Sequence, residues 1–155
     1  MFKRIIMEEE HIIEEVLSLQ GEAYKVEAEL IDFDDLPPLK DNIRSLKDSG
    51  EIFYGYYEGN ELSGLISYKI QGDVLDIHRI AVKPKYFRQG IAKKLIHHME
   101  KINPSIQKII VATGLKNEPA VRLYKKIGFQ EVGKVEVEKG LVIVKFQKFL
   151  NDPLF

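Results

Sequence analysis

The chain contains no cysteine among its 155 residues, which excludes disulfides, thiolate nucleophiles and cysteine-based metal sites. No apolar run reaches about 18 residues, so no membrane-spanning helix is predicted. The opening stretch "MFKRIIMEEEHII" has basic residues, but a glutamate cluster interrupts its apolar run, and no secretory signal is expected. These absences fit a cytoplasmic protein that does not engage a membrane. No Gly-x-Gly-x-x-Gly follows a strand pattern, which argues against a dinucleotide-binding Rossmann site. "GNELSG" (59–64) spaces two glycines as a phosphate loop does, yet it lacks the following Lys-Ser/Thr and lies within a hairpin pattern. His-Glu-x-x-His is missing, and the neighbours His97 and His98 point about 100° apart on a helix, so no metal is expected. Neither a repeat nor a low-complexity linker divides the chain, which predicts one domain over 1–155.

What the chain has in quantity is charge, almost balanced at a net −1 but unevenly placed. Residues 1–35 are acidic, with Glu8, Glu9, Glu10, Glu14, Glu15, Glu22, Glu27, Glu29, Asp32, Asp34 and Asp35 against three cations. Residues 83–126 are basic, with Lys83, Lys85, Arg88, Lys93 and Lys94 leading the set. Two solvated faces account for such a pattern. So does an anion site in the second half with a cation-facing wall in the first. The basic segment lacks interleaved aromatics, so nucleic acid is not an expected partner.

Hydrophobic periodicity predicts a short strand at "MFKRIIM", a helix from Glu9 to about Lys25, and a second helix from Pro38 to Ser49. Strands follow at "EIFYGYY" and "ELSGLISYKI", joined through Gly59-Asn60, and then at Val74 to Val82. Ile91 to Ile102 forms a strongly amphipathic helix, "KIIVAT" an all-apolar strand, and Glu118 to Ile127 a helix capped by Asn117 and closed by Gly128. A hairpin turning at Lys139-Gly140 ends the pattern. Helices interleaved with strands in this order predict an α/β domain with a mixed sheet.

One junction carries chemistry. In "IAVKPKYFRQGIAKKL" a strand runs into a basic loop, then Gly90-Ile91-Ala92 opens a helix. A helix N-terminus offers unpaired amides and partial positive charge, and small residues let a phosphate approach. Spacing alone also fits a glycine that merely turns the chain and an alanine that packs on the sheet.

Together with "NEPAVRLYKKIGF", that stretch resembles the GNAT superfamily of acetyl-CoA-dependent N-acetyltransferases. The first segment is similar to its Q/R-x-x-G-x-G/A pyrophosphate motif. The second is similar to its Asn-x-x-Ala-x-x-Leu-Tyr-x-x-x-Gly-Phe motif, matched by Asn117, Ala120, Leu123, Tyr124, Gly128 and Phe129. The resemblance implies a mixed, mostly antiparallel central sheet flanked by about four helices. It also implies that the backbone of Ile80, Ala81 and Val82 pairs with pantetheine, and that Arg88, Gln89, Gly90, Ile91, Ala92 and Lys93 wrap the pyrophosphate. Asn117 would contact the pantetheine or position the helix that follows it, and Tyr124 would lie beside the thioester sulfur. One departure stands out: Phe87 occupies the usual Gln/Arg position.

The implied reaction is direct transfer of acetyl from acetyl-CoA to a cationic primary amine, on a small molecule or peptide, within a ternary complex. A lysine-like amine of pKa about 10.4 needs about 4.6 kcal/mol to become neutral at pH 7. A base is therefore expected. Asp76 stands where one branch of the family places its catalytic Glu. His78, two residues on, shares its strand face, and histidine is the residue type that titrates nearest neutrality. Both also fit a solvated strand face. Tyr124 is the expected acid, although its helical stripe with Ala120, Leu123 and Ile127 fits a core aromatic as well. The resemblance further implies that the first two helices wall the acceptor site, with Tyr24, Phe33, Tyr54, Tyr56 and Tyr57 near in sequence. The alternative is a non-catalytic acyl-CoA-binding module or sensor on the same fold. Monomer and homodimer are both compatible.

Overall fold

The structure, a computed structural model, describes residues 1–150; the last five residues of the expected 1–155 domain lie outside the described residues. Along the chain come β1 (Phe2–Ile5), α1 (Glu10–Ile31), a 3-10 turn (Pro37–Lys40) and α2 (Ile43–Lys47). Next are β2 (Ile52–Glu58), β3 (Glu61–Gln71), β4 (Val74–Val82), a second 3-10 turn (Pro84–Tyr86) and α3 (Ile91–Ile102). β5 (Lys108–Gly114), α4 (Glu118–Lys126), β6 (Gln130–Glu138) and β7 (Leu141–Phe149) complete the order. The strands form one sheet, β1-β2-β3-β4-β5-β7-β6. Among the described residues only β4 and β5 run parallel; every other neighbouring pair is antiparallel. Among the described residues no helix is long and apolar enough to cross a membrane.

The sheet is covered on both faces. Under α3 and α4, Leu75, Ile77, Leu95, Ile96, Met99, Phe129 and Phe146 form the main core. Beneath α1 and α2, Ile13, Val16, Leu19, Leu46, Phe53 and Leu65 form a second one. Each fully buried aliphatic side chain contributes about 1.5–3 kcal/mol, so these two layers fix the helices on the sheet.

Two helices differ from expectation. α1 continues past Lys25 to Ile31, because Ala28 and Ile31 extend its buried stripe into a third cluster with Leu36 and Leu141. It stops at Asp32, whose φ of 54° turns the chain and whose amide bonds back to Ala28 and Glu29. The helix expected over 38–49 is broken. Pro37 and Pro38 favour a 3-10 turn, Asp41 is extended, and Asn42 restarts a helix through a reciprocal cap with Ser45.

Gly64 in β3 lies under the start of α3. A Cβ there would sit 2.7 Å from Ile91 Cγ2 and 3.3 Å from Leu95 Cδ1. Glycine thus lets the N-terminus of α3 approach the sheet closely. Gly64→Ala is expected to cost about 1–3 kcal/mol through overpacking. Urea unfolding monitored by circular dichroism checks this, and an unchanged midpoint would show that α3 shifts freely.

Candidate functional site

β4 and β5 are bonded to each other only where Val74, Leu75 and Asp76 face Lys108, Ile109 and Ile110. Beyond that point Ile77–Val82 are held by β3 alone, and Val111–Gly114 by β7 alone. The sheet therefore opens into a wedge. A β-bulge accompanies the opening: Tyr68 pairs with Ile77 and Ser67 with Arg79, leaving His78 as the extra residue. The bulge switches the alternation of the strand. Leu75 and Ile77 face α3 before it, whereas Ile80 and Val82 pack toward that face after it and Ala81 joins the α1 layer. A cavity of about 760 Å³ fills the wedge, lined by Ile77–Val82, Val111–Gly114, α1, the start of α3 and α4.

At one end of the cavity is the loop before α3. Arg88 and Gly90 both have positive φ, 65° and 74°. Alternating left-handed residues turn successive amides toward one concave side. Gly90 supplies no side-chain cap to α3, whose first intrahelical amide bond is that of Lys94 to Gly90. The amides of Ile91, Ala92 and Lys93 thus lack helical partners. Phe87, Arg88, Gly90, Ile91, Ala92 and Lys93 line the cavity, while Gln89 does not. Lys94, expected to add charge here, instead lies 5.3 Å over the Tyr56 ring. Lys83 and Lys85 are held by Glu61, which also accepts from Tyr86. Hydrogen bonds from Lys85, Tyr86 and Lys83 bring the Glu61 carboxyl down to about 2. That ion cluster pins the turn from which the loop departs. It leaves Arg88 and Lys93 as the cations lining this end without an ion pair among the described residues.

At the other end sits Tyr124, only 3% exposed, packed between Phe129 and Phe146 with centroids 5.6 Å away. Burial, then the charges of Tyr24 and Glu27, push its phenol well above the ordinary range. Its hydroxyl makes no hydrogen bond among the described residues. Asn117 caps α4 through Oδ1 accepting from the Ala120 amide, and its Nδ2 donates to Glu27 Oε1 at 2.8 Å. Thr113 donates to the same oxygen at 3.2 Å. Burial raises the Glu27 carboxyl above its usual value, and the bonds from Asn117 and Thr113 partly offset this. One turn earlier on α1, the Tyr24 hydroxyl donates to the Ile80 carbonyl at 3.5 Å. Burial also raises Tyr24, with Glu27 next in effect.

Glu27 is the residue that sequence reasoning missed. In the sequence it is one of many acids, and a helix ending at about Lys25 leaves it outside the periodic face. Continued helical spacing would have placed Tyr24, Glu27 and Ile31 along one face.

The expected base candidates sit apart from this group. His78 lines the cavity, with Nε2 3.4 Å from Asp76 Oδ2 and Nδ1 4.0 Å from Glu51 Oε2. Asp76 itself lies in the closed part of the sheet, half-exposed and outside the lining. The expected aromatic wall is dispersed. Tyr54 and Tyr56 gather with Phe2 and His98 near α3, and Tyr57 packs in the α1 layer. Of the five aromatics, Tyr24 alone lines the cavity.

A family model for the acetyltransferase (GNAT) family matches residues 13–129. UPF0157 protein YqkA of Bacillus subtilis (strain 168) is 37% identical over 138 residues, covering 89% of this chain and 40% of that protein. The N-terminal acetyltransferase B complex catalytic subunit NAA20 of Arabidopsis thaliana is 33% identical over 78 residues, 46% of this chain and 45% of that one. The chain thus spans less than half the length of these curated relatives. The fold matches the PaiA N-acetyltransferase of Thermoplasma acidophilum, solved in complex with coenzyme A, at a TM-score of 0.73 and 19% identity over 97% of this chain and 98% of that one.

Beside the cavity, Arg79 fastens the 37–47 segment to the sheet. Its guanidinium bonds Glu51 at 2.9 Å, Gln20 at 3.1 Å and Asp41, while Gln20 donates to Asp41 and to the Pro38 carbonyl. Arg79→Met strands two nearly buried carboxylates, and a loss of about 3–5 kcal/mol is expected. Denaturant unfolding at pH 7 measures it; a loss below about 1 kcal/mol would show that water replaces the cation.

Proposed function

The chain belongs to the acetyltransferase (GNAT) family, and on that footing we propose that it transfers an acetyl group from acetyl-CoA to a primary amine. The observation that carries this reading is the wedge, with uncapped helix amides at one end and a buried phenol at the other. Coenzyme A has matching parts in the same order: a diphosphate, an amide-bearing arm and a thiol end. The PaiA relative, solved with coenzyme A, supports the assignment.

Arg88, Lys93 and the amides of Ile91, Ala92 and Lys93 hold the diphosphate in this reading. Each dipole or charge contact at a helix start is worth about 0.3–1 kcal/mol, so several act together. Phe87 offers an apolar edge where a polar contact is usual, and backbone donors carry the load. The open edge of β4 at Ile80, Ala81 and Val82 pairs with the pantetheine amides as an added strand. Gln89, which does not line the cavity, contributes no contact in this reading.

Tyr124 is the acid. Desolvation keeps it a phenol across the physiological range, so it always has a proton to offer the departing sulfur. Asn117 positions the helix that carries it. The domain acting this way spans 1–155.

Two measurements test the proposal. Wild-type protein with acetyl-CoA and a panel of primary amines is expected to release CoA thiol in proportion to acetylated product. Tyr124→Phe is expected to lower kcat about 100-fold, within the range for lost acid catalysis, with CoA affinity by calorimetry nearly unchanged. Tight CoA binding with no turnover of any amine would instead identify an acyl-CoA-binding module. Loss of affinity in Tyr124→Phe equal to the loss of rate would place that residue in packing alone.

A further inference from the structure

We propose that Glu27 receives the ammonium of the acceptor and takes its proton, a role that rests on the transfer reading above and deepens it. Glu27 faces the wedge from α1, and both of its hydrogen-bond donors, Asn117 and Thr113, bind the same oxygen, Oε1. Its second oxygen accepts nothing among the described residues.

The other partly buried carboxylates near the cavity are answered by cations. Arg79 pairs with Asp41 and Glu51, and Glu61 holds Lys83 and Lys85. Glu27 pairs with no lysine, arginine or histidine among the described residues. A desolvated carboxylate without a cation is costly, and a primary ammonium, with three donors in a compact charge, is the chemistry that completes it.

The surroundings suit proton transfer. The titratable groups that face Glu27 are phenols, Tyr24 on its own helix and Tyr124 on α4. Arg79 on β4 and Glu51, which immediately precedes β2, act on Tyr24. Burial raises the carboxyl above its ordinary value, the direction that makes it a stronger proton acceptor. Asn117 also joins the two ends of the reaction, since it binds Glu27 and caps the helix bearing Tyr124.

The step balances as follows. Glu27 takes one proton from R–NH3+, leaving R–NH2. The nitrogen lone pair forms the C–N bond to the acetyl carbon. The C–S pair leaves on sulfur, which takes the Tyr124 proton, and the surplus proton on nitrogen restores Tyr124. Glu27 returns its proton to solvent, so the net products are the amide, CoA thiol and one proton.

The test uses full-length protein and a lysine-like amine of pKa about 10.4. Glu27→Gln keeps an oxygen that accepts from Asn117 and Thr113, so folding is retained. At pH 7 its kcat/KM is expected to fall about 100-fold or more, with CoA affinity by calorimetry within about 2-fold of wild type. The deficit is expected to shrink about tenfold per pH unit as the pH rises toward the amine pKa, because the acceptor then arrives neutral. Glu27→Asp, which keeps the charge, is expected to recover most of the rate; it also serves if Glu27→Gln is unstable. A Glu27→Gln enzyme within about 3-fold of wild type, or a deficit that ignores pH, would overturn this role and leave the acetyltransferase reading standing. So would loss of activity in His78→Gln with Glu27→Gln unaffected. Wild-type protein that binds CoA but acetylates no amine would overturn both.

Discussion

The parting of β4 from β5 after three paired residues is the constraint on which the rest of the structure depends. Two parallel strands in the middle of a sheet ordinarily satisfy each other along their length, and unpaired backbone groups away from water are costly. Here the strands separate, and their free edges are turned into a cavity rather than covered by protein. The bulge at His78 makes this tolerable by letting β4 stay in register with β3 while its side chains change faces. Ile80 and Val82 then pack toward α3 and Ala81 toward α1, and the strand stays anchored on both sides of a split sheet.

Much of this was legible from residue pattern. Ile91–Ile102 reads as a helix because its apolar stripe is narrow and its ends are marked by Gly90 and Asn103-Pro104. The hairpins at Gly59-Asn60 and Lys139-Gly140 read directly from turn chemistry. The paired segments around Gly90 and Asn117 were recognisable from their resemblance to the two GNAT motifs, and the structure brings both to one cavity. The length of α1 was less legible, because its last turns are half-exposed and their apolar residues pack on the distant Leu141. The break at Asp41 was hidden for a similar reason. Local propensity favours one helix over 38–49, but the Asp41 carboxylate is bound to Arg79, in a strand far along the chain.

Charge was the weakest guide. Counting signs left two readings open, a pair of solvated faces or a broad basic site with an acidic wall. In three dimensions some of those charges are taken up by neighbours, as Lys85 is by Glu61 and Lys94 by the Tyr56 ring, and many of the others face solvent. What matters is the few that line the cavity: Arg88 and Lys93 at one end, Glu27 at the other. A bulge and a buried unpaired acid are both tertiary facts, and neither has a local signature.

The Arg79 network also gives the molecule two kinds of fastening. The 37–47 segment fully buries one apolar side chain, Leu46, packs Leu39 and Ile43 partly against the neighbouring clusters, and is tied down further by ionic and amide contacts. The α3 face is held almost wholly by hydrocarbon. Hydrocarbon burial has no directional preference, whereas charge-assisted hydrogen bonds fix which group faces which. The ionic fastening therefore sets the angle at which the 37–47 segment meets the sheet, and the apolar layer sets only how densely the body beneath α3 is filled.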